Sequence, residues 1–157
     1  MPHGRYILTE TVASAVLNAI VGGLFVFVVF GSVASIELWG PRGLAIDLLP
    51  TVFMITLMTT IALTIITRRR MLAGAVQPAE ATTVLPANPV LRGLLLAIGA
   101  TIVLVPASVA ILSVVWRSTG DWTFTEVLLF KCIYSATLGF LVTPLIVISA
   151  LRSRARR

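Results

Sequence analysis

Residues Val127–Leu151 read VLLFKCIYSATLGFLVTPLIVISAL, and Arg152–Arg157 follow as RSRARR. Within the apolar run the one charge is Lys131. Wound as a helix at 1.5 Å per residue, the run reaches about 37 Å, enough to cross a hydrocarbon core of about 30 Å with some tilt. An apolar span halted by clustered arginines is an oriented span, because positively charged flanks stay on the cytoplasmic side. Arg152, Arg154, Arg156 and Arg157 are therefore topology anchors that put the C-terminus in the cytoplasm and fix the direction of the spans before it.

Three more charge-free runs precede it. Thr11–Ile36 follows Arg5 and Glu10, Leu48–Thr67 stops at Arg68, Arg69 and Arg70, and Gly93–Trp116 opens after Arg92. The expected architecture is all-α: a single membrane domain over 1–157, an antiparallel bundle of four transmembrane helices at about 11–36, 48–67, 93–116 and 125–151. A turn holding Trp39, Gly40, Pro41 and Gly43 joins the first two, and a second short loop with Gly120, Asp121 and Trp122 joins the last two. Between them, 68–92 reads as a cytoplasmic linker, with Pro78, Pro86 and Pro89 among polar residues. A basic tail occupies 152–157.

Arg5, Arg68, Arg69, Arg70, Arg92 and the tail arginines share one side, whereas Arg42, Arg117, Glu37, Asp47, Asp121 and Glu126 share the other. Both termini are thus expected in the cytoplasm. The preference for arginine over lysine suggests a GC-rich bacterial genome, hence a bacterial inner membrane. Ser32-Val33-Ala34 resembles a cleavage site, but the apolar run around it is longer than a signal peptide's and holds Asn18, so retention is expected. Each half repeats one outline: a span, a loop with Trp and Gly, an acid opening the return span (Asp47 or Glu126) and an arginine cluster closing it. This suggests a duplicated two-helix hairpin in parallel repeat.

Composition narrows the function classes. With 157 residues, 58% hydrophobic and 11% charged, the chain has too little polar surface for a soluble globule. The net charge of +6 sits at span ends, which is a topology signal and not a nucleic-acid footprint. One cysteine, Cys132, permits no intrachain disulfide, and one histidine, His3, permits no histidine-built metal cluster or triad. No cofactor is implied. The acids divide between the two faces and no serine has a base at hand, so an enzyme is not expected.

Several residues stand out as candidate polar-pathway or packing positions. Lys131 lies near the outer end of its span, where its stem can snorkel and recover most of the roughly 3 kcal/mol that a central charge costs. The alternative is an ion pair in a polar pocket that binds an anion or relays protons. Glu126 is poorly aligned for that on the same helix, so Asp47 is the better partner. Glu10, Ser14, Asn18 and Gly22 form one stripe of the first span beside a small-residue ridge of Ala15, Ala19 and Gly23. Ser135, Gly139 and Thr143 form a similar ridge in the fourth, and the two are candidate partners.

Thr56, Thr60, Thr64 and Thr67 fall within an arc of about 80° on the second helix. Counted from the cytoplasmic ends, Asn18, Thr60, Thr101 and Thr143 all lie about 10–14 Å deep. If they face inward they make a polar layer, and otherwise they are packing surface. Pro106 and Pro144 are expected to kink the third and fourth helices.

The function expected from these features is a small non-catalytic polytopic membrane protein, acting as a helix-packing partner or accessory subunit. The competing expectation is a small oligomeric transporter or channel for an ion or small solute, using the inner-half polar layer and Lys131. Expected partners are membrane lipid together with further copies of the chain or another membrane protein, and no nucleic acid.

Overall fold

A computed structural model describes residues 2–31, 35–79 and 83–152. They form four helices, α1 (His3–Phe30), α2 (Leu44–Leu72), α3 (Pro89–Thr119) and α4 (Phe124–Leu151). Each is long and apolar enough to cross a membrane. Among the described residues there is no strand. One antiparallel bridge, Ile36 with Trp122, ties the α1–α2 loop to the α3–α4 loop.

α2 and α3 overrun their charge-free runs at both ends, and α1 and α4 at their starts, because a charge ends an apolar run without ending a helix. α1 starts at His3 instead of 11, taking in Arg5 and Glu10, and stops at Phe30, short of 36. α2 starts at Leu44, with Asp47 in its first turn, where the helix dipole favours an acid. It continues through Arg68, Arg69 and Arg70 to Leu72, so this triplet belongs to the helix and not to the linker. α3 begins at Pro89, with the Asn88 side chain accepting from the backbone N–H of Val90 and Leu91 at 2.9 and 3.3 Å. At the head of α4, Thr123 and Glu126 form a reciprocal capping box.

Helix order in space differs from order in the chain. α4 and α2 pack together at the centre, α1 lies on α4, and α3 lies on α2, while α1 and α2 touch only slightly. The α1–α4 contact is close because glycines face it. A Cβ on Gly22 would sit 2.1 Å from Ser135 Oγ, and one on Gly139 would sit 3.1 Å from the Ser14 carbonyl oxygen and 3.2 Å from Ala15 Cα. Gly23 meets Cys132 Sγ in the same way. The two small-residue ridges therefore pack against each other, inside the chain.

Two apolar clusters cap the bundle. At the loop end Val26, Phe30, Ile36, Leu44, Leu48 and Val127 are buried, with Trp116 stacked on Trp122 nearby. At the end carrying the chain termini, Tyr6, Leu63, Val142, Ile146 and Val147 pack with Val76 of the linker. The first part of the linker is ordered there, since Ala79 N–H donates to the Leu151 carbonyl at 3.0 Å. Large apolar side chains such as Leu17, Phe25, Val28, Ile102, Val103 and Leu145 lie on the outside, which inverts the pattern of a water-soluble bundle. α3 and α4 continue as helix through Pro106 and Pro144. A third interior proline, Pro50, lies in the second turn of α2, because the helix starts at Leu44 and not at 48.

Candidate functional site

Thr56, Thr60, Thr64 and Thr67 of α2 share an arc of about 80°, with Arg70 beside it, whereas Asp47 and Thr51 project from the opposite side of the helix. From Asp47 to Arg70 the helix rises about 35 Å, slightly more than the thickness of a hydrocarbon core. All four threonines of the arc are buried.

At the loop end, Lys131 of α4 is 1% exposed and donates from Nζ to Asp47 Oδ2 at 2.5 Å and to Thr51 Oγ1. Thr51 in turn donates to the Asp47 carbonyl oxygen at 2.7 Å. The sequence offered snorkelling or a pair with Asp47, and the structure makes the pair. Glu126 is occupied elsewhere, by the Thr123 cap.

At mid-height, Asn18 Nδ2 reaches across from α1 to Thr59 Oγ1 at 3.3 Å and back to Ser14 Oγ at 3.1 Å. Thr60 donates to the Thr56 carbonyl at 2.7 Å. The hydroxyls of Thr56, Thr64, Ser135 and Thr143 are buried and have no hydrogen-bond partner. A buried polar atom left in that state costs about 1–3 kcal/mol, and these four hydroxyls are divided between α2 and α4.

At the terminal end, Arg70 of α2 pairs with Glu10 of α1 and lies 5.2 Å over the Tyr6 ring. The Tyr6 hydroxyl shares a 2.9 Å hydrogen bond with Thr67 Oγ1. Glu10 is only 7% exposed, so this acid belongs to the seam. The result is a broken polar file, with an ion pair at each end and hydroxyls and one amide between them.

Thr101 does not join it. Its hydroxyl donates to the Ala97 carbonyl of its own helix, and neighbouring Ala100 packs with Val52 and Ile55, well toward the loop end from Thr60. At the height of Thr60, α3 instead presents its first turn, where Gly93 closes on Leu57 and Ile61. Beside it Arg92 is fully buried. Its Nε donates to the Pro86 carbonyl at 2.9 Å, and Nη1 and Nη2 have no partner. Sequence reasoning took Arg92 only as the flank of a span, and likewise missed Thr59, Thr51 and the Glu10–Arg70 pair.

Of the topology anchors, Arg68, Arg69 and Arg70 lie in the last turns of α2 and Arg152 caps α4. Arg154, Arg156 and Arg157, like Ser32-Val33-Ala34, lie outside the described residues. No group of three or more His, Cys, Asp or Glu side chains suited to a metal occurs among the described residues.

Residues 82–151 match a family described as "Protein of unknown function (DUF2456)". The matched stretch takes in Arg92, Lys131, Ser135, Gly139 and Thr143 and leaves out all of α1 and α2. No curated protein and no solved structure matches the chain.

Proposed function

We propose that this chain is a small, non-catalytic integral membrane protein of a bacterial cytoplasmic membrane that relays protons along the seam between α1, α2 and α4. Both termini sit in the cytoplasm in this reading, which places the Glu10–Arg70 pair at the inner mouth and the Lys131–Asp47 pair at the outer one. The observation that carries it is the file of buried hydroxyls without partners, bounded at both ends by titratable pairs. Intramembrane ionisable groups are expensive and mark proton or ion routes. Backbones at Gly22 and Gly139 approach too closely for a hydrated ion to pass, whereas hydroxyls bridged by single waters suffice for a proton.

The packing order α1–α4–α2–α3 is unchanged when the two halves are exchanged, as a duplicated hairpin requires. Thr51 and Lys131, which meet in the outer pair, occupy corresponding turns of α2 and α4. Lipid covers the outward apolar faces, and the relay is complete within one copy of the chain.

Reconstitution tests this directly. Liposomes carrying the full chain and an internal pH dye, placed under a potassium-driven potential, are expected to acidify faster than empty ones. Lys131→Met and Asn18→Leu are expected to abolish the difference. Flux equal to that of empty liposomes, with the helices intact, refutes the relay. In that case the reading as an accessory subunit is left, and α3 favours it, because α3 is the least covered helix and has room on its outer face for another chain's helices.

A further inference from the structure

The two loops at the end opposite the termini form, with the tip of α3, an open cleft of about 560 Å³. That volume falls within the range of small-molecule sites, about 300–1,000 Å³. Glu37, Trp39, Ser113, Trp116, Arg117 and Asp121 line it. Its walls are fixed by the Ile36–Trp122 bridge and by the stacking of Trp122 on Trp116, with ring centroids 4.7 Å apart. Trp116 Nε1 donates to Asp121 Oδ1 at 3.4 Å.

The charges in the cleft do not satisfy one another. Among the described residues, ion pairs join Arg70 to Glu10 and Lys131 to Asp47, and neither involves Glu37, Asp121 or Arg117. The Glu37 carboxylate and the Arg117 guanidinium accept and donate no hydrogen bond within the described chain. A lone anion in this cleft meets two carboxylates, and a lone cation meets a guanidinium. A ligand carrying both signs on separate groups satisfies each.

We propose that this cleft binds a zwitterion in which a phosphate and an alkylated ammonium are joined by a short linker. Arg117 takes the phosphate, since a guanidinium fork matches its oxygens. The ammonium lies among Trp39, Trp116, Glu37 and Asp121, because indole faces attract alkylated cations and carboxylates supply the countercharge. Tryptophans at a bilayer surface sit at head-group level, which is where phosphate–ammonium zwitterions are concentrated. The site lies on the α3 side, off the polar file, and stands whether or not the file moves protons. The same chemistry is offered by a phospholipid head group and by its free soluble counterpart.

The test uses the full chain in nanodiscs of phosphatidylglycerol, titrated with phosphocholine and followed by tryptophan emission. Saturable binding is expected, about tenfold weaker in Arg117→Gln and in Trp39→Leu. A parallel arm adds phosphatidylcholine to the nanodisc and counts retained lipid by native mass spectrometry. Binding of soluble phosphocholine assigns the free ligand, and retention of the lipid alone assigns the head group. The altered side chains are exposed, and circular dichroism verifies that the helices persist. Three results overturn the proposal: no saturable binding in either arm, binding unchanged by Arg117→Gln, or inorganic phosphate or glycine betaine binding as tightly as phosphocholine.

Discussion

Replacing Lys131 with methionine keeps the unbranched apolar stem and strips the ammonium from Asp47. In the native chain the Lys131 side chain is 1% exposed and that of Asp47 13%, with 2.5 Å between Nζ and Oδ2. Removing one member of a buried pair costs about 3–5 kcal/mol, because the other charge is left without compensation. Asp47 keeps its place in the first turn of α2, where the helix dipole offsets about 0.3–1 kcal/mol of that. The expected loss for Lys131→Met is therefore about 3 kcal/mol. Asp47→Leu strands the ammonium and is expected to cost at least as much. The double variant has no charge left to strand, so its cost falls below the sum of the two, with a coupling energy of about 2–3 kcal/mol. Reversible unfolding in mixed micelles of rising dodecyl sulfate content, read by helicity, measures all three. Additive single costs, with coupling below about 0.5 kcal/mol, refute the buried pair and with it the outer end of the polar file.

Glycines divide sharply. Gly139→Ala pushes a methyl against the Ser14 carbonyl and Ala15 Cα and is expected to destabilise by about 1–2 kcal/mol. Gly99→Ala meets nothing within 4 Å and is expected to stabilise by about 0.5–1 kcal/mol through helix propensity, in the same unfolding assay. Arg92→Met removes a buried guanidinium with two unpaired nitrogens and is expected to raise stability by about 1–4 kcal/mol, visible as a higher melting temperature by circular dichroism. Tyr6→Phe deletes the hydroxyl bonded to Thr67 and is expected to cost about 1 kcal/mol while leaving the Arg70 ring contact in place.

The sequence carried the element count because apolar length is a strong signal, and charge-free runs give the spans directly. Helix ends were read less well. Arg68–Arg70 ended the expected second helix, yet an arginine in a last turn favours the helix and only the apolar run stops there. The cap at Asn88-Pro89 and the Thr123–Glu126 box were both present as motifs that fix a start, but an apolar-run criterion passes over them. The stripes of α1 and α4 were legible from their spacing of four, and so was the choice of Asp47 over Glu126. What no stripe reveals is axial stagger. Depth counted from each helix's own end put Thr101 level with Thr60, whereas Ala100 packs with Val52 and Ile55 and the first turn of α3 takes that height. Arg92, treated as a flank, was thereby moved into the bundle.

The spatial order of the helices bears on how the molecule is made. α1 finds its main partner in α4, two helices beyond its immediate successor α2, which it touches only slightly. The α1 face that carries Gly22 and Gly23 is therefore closed by Ser135 and Cys132 of α4, so the first helix locks in place only after the α2–α3 hairpin has formed and α4 has docked.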